Sequence, residues 1–483
     1  MVPEKRYYDS AYCRAPRRKK EKTVVKAERM FKKIKKIMEK NYVDILAIGE
    51  RKDFKKDISV HPEYHLPDVS SIISIGINIP PGSEGTEDVP GSIHRRLHYT
   101  AFDIAHFLDI NGHSAVTGTK INDYLIAQRF GVYQKDTYFT TILTSANLPS
   151  RKMKREQERG ITAQQLRKFC GESGTDLVGF FNLKRFDLFK RTFGGKLSLP
   201  EETESVRDTN WIYGSYCPVI EKEALNLKGP ADWLPEAKSV VVLGLHFPDA
   251  SLDTAKVTPA ETVGPYAFVQ FETLNLLGDI AYKVIKRLNG CGYQATFTYD
   301  LTGLASKVIS SRGLLPDMRA NLFPAVLSGL ACIGIHGYPI TEKFGVRQRF
   351  ISIITDMPLP NDLLYSGKIP CETCNKVCID SCPTKAIKKG TAVMELGDKK
   401  FKLPKIDRFA CDWAKRYGLS GKEGPEYFGL KSDLPVPKDK SSKEVMSALK
   451  KVPWGVQKRH IGICEECIRT CKARGLLESL QDE

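Results

Sequence analysis

The chain has 483 residues, 41% hydrophobic and 27% charged, which is ordinary for a soluble globular protein of about three domains. No apolar run approaches the ~18 residues that span a bilayer, and a chain this long with no secretory signal is not a small disulfide-stapled scaffold. The net charge of +17 raises a nucleic-acid partner, but its distribution argues for a solvated helix face instead.

Much of the excess charge lies early. Residues 14–40 carry 13 Lys/Arg against three Glu. Within them Val24, Val25, Met30, Phe31, Ile34, Ile37 and Met38 recur at helical spacing. This predicts a helix that docks an apolar face and keeps its lysines in water. No aromatic residues interleave the charge, so a solvated face is preferred to a polyanion-binding arm. Arg17-Arg18 superficially matches a twin-arginine export signal, but Lys19, Lys20, Glu21 and Lys22 follow where an apolar stretch belongs. The expectation is a cytoplasmic protein with neither membrane nor nucleic acid as partner.

One pattern then occurs twice. The first copy has the helix at 26–40, the apolar run 44–49, Leu66-Pro67 before 72–77, a helix ending at 112–115, and Phe130-Gly131-Val132 before 140–144. The second has a helix at 162–169, the run 176–181, Leu234-Pro235 before 240–245, a helix ending at 292–295, and Phe344-Gly345-Val346 before 352–355. Each short run rich in Val and Ile reads as a buried strand, and strands alternating with helices imply an α/β sheet covered on both faces.

The copies differ in one place. The stretch from Gly118 to Phe130 is short, whereas its counterpart from Thr298 to Phe344 is long. Function in such folds sits in loops on a rigid sheet. Copy two is therefore expected to hold the ligand, with copy one a scaffold or lid. In the long segment Gly329, Gly334 and Gly337 are candidates for close backbone approach to a large cofactor, or else ordinary turn glycines.

The C-terminal part carries eight cysteines: Cys371, Cys374, Cys378 and Cys382, the last followed by Pro383, then Cys411, then Cys464, Cys467 and Cys471. Eight thiolates are what two 4Fe–4S clusters need, and the run approximates the bacterial ferredoxin spacing, in which the fourth Cys serves the other cluster. Structural zinc and a disulfide framework fit the spacing and the chain length less well. The gap from Cys374 to Cys378 is one residue longer than usual. Of the other cysteines, Cys13, Cys170, Cys217 and Cys291 read as small buried hydrophobes.

Three segments then carry a resemblance: 328–337 (Ser-Gly-Leu-Ala-Cys-Ile-Gly-Ile-His-Gly), 340–349 (Ile-Thr-Glu-Lys-Phe-Gly-Val-Arg-Gln-Arg) and 355–359 (Thr-Asp-Met-Pro-Leu), with the cysteine run directly behind them. In this succession, from about residue 160 to the end, the chain resembles the reductive dehalogenase family, corrinoid iron–sulfur reductases related to epoxyqueuosine reductase. The resemblance implies duplicated nitroreductase-like α/β units, the first degenerate (1–160), the second binding corrinoid (161–360), and a ferredoxin-like two-cluster module (361–483). It implies base-off cobalamin, with Thr298, Tyr299, Gly329, Gly334, His336 and Gly337 as candidate contacts. One cluster would take Cys371, Cys374, Cys378 and Cys471, and the other Cys382, Cys411, Cys464 and Cys467.

The same resemblance implies a Tyr proton donor beside a basic residue. The basic position falls on Ile335, so His336 is the candidate charged partner. Tyr266, near the start of the helix after Gly264-Pro265, is the candidate donor. Asp300 matches the acid of the epoxyqueuosine branch, where burial would raise its pKa. The expected activity is reductive cleavage of a carbon–halogen or related bond in a small molecule. A low-potential donor such as a ferredoxin or flavodoxin would supply the electrons. An epoxyqueuosine-like reductase and a non-catalytic corrinoid or electron-transfer protein are the alternatives.

Overall fold

The structure, a computed structural model, describes residues 27–54, 61–86, 88–155, 160–194, 203–209, 217–223, 227–253, 265–304, 307–310, 313–316, 319–417, 435–438, 443, 444, 447, 464–473 and 475. Arg17, Arg18, Val24, Val25 and Gly264 lie outside the described residues. The chain divides into two compact units, one of residues 1–79 and 90–157, the other of residues 80–89 and 158–483.

In the first unit α1 (Ala27–Lys40) buries Met30, Phe31, Ile34 and Met38, the stripe expected from the sequence. The lysines of the opposite face are solvated; Lys35 and Glu39 form an exposed i,i+4 pair at 3.5 Å, which contributes a few tenths of a kcal/mol at most. Then come β1 (Ile45–Glu50), β2 (Ser71–Asn78), α2 (Asp88–Ile110), β3 (Ala115–Thr117), α3 (Asp123–Arg129), β4 (Thr137–Thr144) and β5 (Arg151–Lys154). They make one sheet in the order β3-β4-β2-β1-β5, every pair antiparallel.

The second unit opens with α4 (Ala163–Glu172), entered through a capping box in which Thr162 and Gln165 satisfy each other's backbone N–H. It continues with β6 (Leu177–Asn182), α5 (Leu183–Gly194), the hairpin β7 (Thr203–Thr209) and β8 (Cys217–Glu223), α6 (Pro230–Trp233), β9 (Ser239–His246), α7 (Ala250–Asp253) and α8 (Pro265–Gly290). Next are β10 (Ala295–Thr298), β11 (Lys307–Ser310), β12 (Gly313–Pro316), α9 (Leu322–Leu327), β13 (Cys332–Ile333), β14 (Pro339–Ile340) and β15 (Gln348–Thr355). The C-terminal part has α10 (Val377–Ser381), β16 (Ile387–Leu396), β17 (Lys399–Ile406), α11 (Arg408–Tyr417) and α12 (Glu466–Arg469). The main sheet runs β10-β15-β9-β6, again wholly antiparallel.

The strands β3-β4-β2-β1 and β10-β15-β9-β6 follow one order, with β5 an added edge strand of the first sheet, and hydrogen bonds around the two match. Asp44 N–H donates to Gly76 O and Asp176 N–H to Gly244 O, each at 3.0 Å. Their carboxylates accept from Asn78 N and His246 N, each at 2.9 Å. Thr144 and Thr355 hydroxyls accept from the amide two residues on, both at 3.1 Å. Ser71 and Ser239 accept from Leu148 N and Leu359 N, at 2.9 and 2.8 Å. In each copy the long helix ends at a left-handed glycine, Gly112 (φ 83°) or Gly292 (φ 89°), where glycine carries no Cβ penalty.

The core of the second unit joins Phe181, Phe186, Phe189 and Phe193 to Val240 and Val242, and reaches Met394, Leu396, Phe401 and Leu403 of the β16–β17 hairpin. These side chains anchor the hairpin, which lies between Cys382 and Cys411, to the sheet. The loop after β15 is tied down as well. Asp362 takes a bidentate bond from Arg167 (2.7 and 2.8 Å) and a third bond from Phe180 N at 2.8 Å.

Candidate functional site

The eight thiols fall into two neighbourhoods. Cys378 has the charges of Cys471, Cys371 and Cys374 beside it. Cys467 has those of Cys464, Cys411 and Cys382. Two short helices explain how the sequence does this. Helix α10 carries Cys378 and ends at Cys382, while α12 carries Cys467 and leads to Cys471. Each helix thus gives one thiol to each quartet.

The backbone then points donors at the sulfurs. Ile335 N–H donates to Cys371 Sγ at 3.4 Å, Ala386 N–H to Cys382 Sγ at 3.2 Å, and Ala473 N–H to Cys471 Sγ at 3.4 Å. Arg319 Nη2 reaches Cys411 Sγ at 3.5 Å. Cys371, Cys374, Cys378, Cys382, Cys464, Cys467 and Cys471 are free thiols. Burial pushes the Cys378 thiol up to about 12 and Cys471 up to about 11, and raises Cys464 and Cys467 too, with neighbouring thiols adding to the shift. Bringing such buried thiols together as thiolates requires a local positive charge, which metal ions provide by deprotonating their thiol ligands. Among the described residues no three His, Cys, Asp or Glu side chains converge on a single-ion site. The donor set of four thiols with N–H···S bonds fits a multi-iron cluster. A small cavity lies amid Cys382, Cys411, Cys464 and Cys467, walled by Arg319, His336, Tyr338 and Glu465.

Tyr266 stands at this second quartet. It occupies the first turn of α8, is 2% exposed, and its hydroxyl donates to Glu465. Burial, then the Glu465 carboxylate, hold the phenol well above its ordinary pKa, so it stays protonated; the Arg349 charge pulls the other way. Arg349 is 3% exposed and is fixed by Gln270 Oε1 at 2.9 Å, four residues beyond Tyr266 on the same helix.

Two expectations need correcting. The positive charge beside Tyr266 comes from Arg349 on β15, whereas Ile335 packs its side chain on the thiol cluster and turns its N–H to Cys371. His336 is not a charged partner: burial lowers its pKa to about 4. Its Nδ1 accepts from Tyr338 N at 3.2 Å, which leaves Nε2 to donate to Cys471 Sγ at 3.4 Å. Beside three of the candidate glycines the chain packs on itself. The space beside Gly329 is filled by the Leu363 carbonyl, that beside Gly334 by the His336 ring, and that beside Gly337 by Ile406.

Gly329 (φ 74°) is therefore held by the chain's own packing. Gly329→Ala is expected to cost about 3–5 kcal/mol through backbone strain and overpacking. An unchanged melting temperature of the metal-free chain would refute that.

The remaining candidates have local duties. Thr298 Oγ1 accepts from Asp300 N at 3.2 Å, and the Tyr299 carbonyl accepts from Asn321 Nδ2 at 2.8 Å. Asp300 is buried and accepts from the Thr302 hydroxyl at 3.4 Å. Sequence reasoning missed Arg349, Glu465 and Arg319. The signal for Arg349 was present: Gln348 and Arg349 open a strand whose eight residues are all buried, and a buried guanidinium needs a partner.

The site is that of a redox protein: an α/β scaffold that gathers eight thiols beside a buried, protonated tyrosine. Comparison agrees. Over 225 residues the chain is 30% identical to a tetrachloroethene reductive dehalogenase of Dehalobacter restrictus, covering 44% of this chain and 36% of that protein. Over 233 residues it is 24% identical to the epoxyqueuosine reductase of Bacillus subtilis, covering 46% and 51%. A solved reductive dehalogenase, described as suggesting a mechanism for B12-dependent dehalogenation, overlays 90% of this chain and 78% of that one at 10% identity and a TM-score of 0.35. No family model matches. At family level the chain is similar to the reductive dehalogenases and to epoxyqueuosine reductase, which are oxidoreductases. It spans well under half the length of the dehalogenases it matches, 36% in the case quoted. Among the described residues no helix is long and apolar enough to cross a membrane.

Proposed function

We propose that this chain is a cytoplasmic iron–sulfur reductase that cleaves a carbon–halogen or related carbon–heteroatom bond in a small molecule. The observation that carries the reading is the crossed pair of thiol quartets abutting Tyr266. Cys371, Cys374, Cys378 and Cys471 would hold one 4Fe–4S cluster, and Cys382, Cys411, Cys464 and Cys467 the other. When bound, such clusters supply single electrons at low potential. The rest is the work of side chains. N–H···S bonds from Ile335, Ala386, Ala473 and His336 favour the reduced, more negative sulfurs. Tyr266 keeps its proton until the substrate carbon takes it, and Arg349 stabilises the phenolate left behind. Two electrons and one proton replace the halogen by hydrogen, with halide leaving.

The matching hydrogen bonds of the two sheets support descent from one duplicated nitroreductase-like unit. Base-off cobalamin is implied by the family resemblance. Anaerobic reconstitution should give about eight iron and eight sulfide per chain, four of each per cluster. Four of each would mean one quartet fails, and none would sink the reading. Cobalt assayed in the same sample tests the corrinoid. A second reading, an epoxyqueuosine-like reductase, is favoured by the burial of Asp300. It predicts that Asp300→Asn, and not Tyr266→Phe, abolishes turnover.

A further inference from the structure

The two quartets face different surroundings. The second adjoins Tyr266 and Glu465, where the proton is held. The first is reached by a cleft of about 560 Å³ that ends on Cys371 and Ile335. Lysines ring that cleft: Lys376, Lys399, Lys400 and Lys402, with Glu372 the one acid among its walls. The hairpin that supplies three of them, residues 387–406, holds six Lys against Glu395 and Asp398.

These lysines are not consumed in holding the fold. Lys400 is 74% exposed in its 3.5 Å pair with Glu395, and Lys402 is 62% exposed in its 2.9 Å pair with Glu372. Exposed pairs of this kind contribute about 0–1 kcal/mol. Among them the cleft is lined by the apolar side chains of Ile333, Ile335, Ile369 and Phe401. A small apolar centre inside a ring of one charge is what a transient redox encounter uses. The charge steers and orients, and the modest contact lets the partner leave.

We propose that the Lys376/Lys399/Lys400/Lys402 face is the docking surface for a small acidic electron-carrier protein, which delivers electrons to the quartet of Cys371, Cys374, Cys378 and Cys471. The inference rests on the iron–sulfur reading above and adds its direction: electrons arrive at Cys371 and leave beside Tyr266. In each encounter the reduced carrier is oxidised by one electron and the cluster is reduced by one. No atom is transferred.

The test uses the iron-loaded full chain, reduced flavodoxin as the acidic carrier, and methyl viologen radical cation as a small positive reductant. Stopped-flow absorbance follows cluster reduction by each, and biolayer interferometry measures flavodoxin binding. Combining Lys399→Glu, Lys400→Glu and Lys402→Glu should lower the flavodoxin-to-viologen rate ratio about ten-fold or more and weaken binding in parallel. The wild-type flavodoxin rate should fall steeply with ionic strength. Reversing Lys168, Lys184 and Lys190, exposed elsewhere on the same unit, should change the ratio less than about two-fold. An unchanged ratio in the first variant overturns the proposal. So does an equal drop in the control, which would reduce the effect to bulk charge. Iron uptake and viologen reduction report the clusters separately, so their loss would indict the iron–sulfur reading itself.

Discussion

Tyr266→Phe should lower viologen-driven turnover of an organohalide by about 10²–10⁴-fold, the usual contribution of a positioned general acid, with iron content unchanged. The ring is kept, so its edge contact with Phe247, at 6.0 Å between centroids, survives. The hydroxyl bonded to Glu465 is what goes. Losing one buried hydrogen bond costs about 1 kcal/mol, far too little to unfold a protein of this size. A rate loss with full iron content would therefore report proton delivery. Arg349→Met is the companion. Without the guanidinium the phenolate is dearer to form, so the rate should fall again, and Arg349→Lys should restore part of it. Equal rates for wild type and Tyr266→Phe would remove the tyrosine as donor, and Asp300→Asn would then be the decisive variant.

How much of this was legible in the sequence varies with the kind of constraint. Short spacings were readable because they are local. The thiol spacing from Cys371 to Cys382 leaves few ways to wind the chain. The repeated strands were readable because buried β-branched runs such as Val240-Val241-Val242 have one natural environment. What a glycine faces is not local. Gly329 looks the same on the page whether a cofactor or the Leu363 carbonyl lies against it. The charge beside Tyr266 was sought at Ile335 because the glycine segment was the place aligned for it. It comes instead from Arg349 on β15, held by Gln270 of α8, an arrangement that exists only once strand and helix are packed.

The second large effect concerns which thiol serves which cluster, and here chain order and space disagree. By chain order Cys382 belongs with Cys371, Cys374 and Cys378, and Cys471 with Cys464 and Cys467. In space each is exchanged: the charge of Cys471 acts on Cys378, and that of Cys382 on Cys464 and Cys467. Cys382→Ala should therefore remove the cluster beside Tyr266. Iron should fall from about eight to about four per chain, and turnover should be lost with any reductant, because the surviving cluster has no outlet to the proton donor. Cys471→Ala should remove the other cluster. It should abolish reduction by a carrier protein docked at the lysine face, while a small reductant such as methyl viologen, able to reach the remaining cluster directly, still supports slow turnover. Electron paramagnetic resonance of the two variants would identify the survivor in each. If Cys382→Ala were to spare viologen-driven turnover and Cys471→Ala to abolish it, the ligands would follow chain order. The two short helices α10 and α12 would then not cross, and the inward route from Cys371 to Tyr266 would have to be drawn the other way.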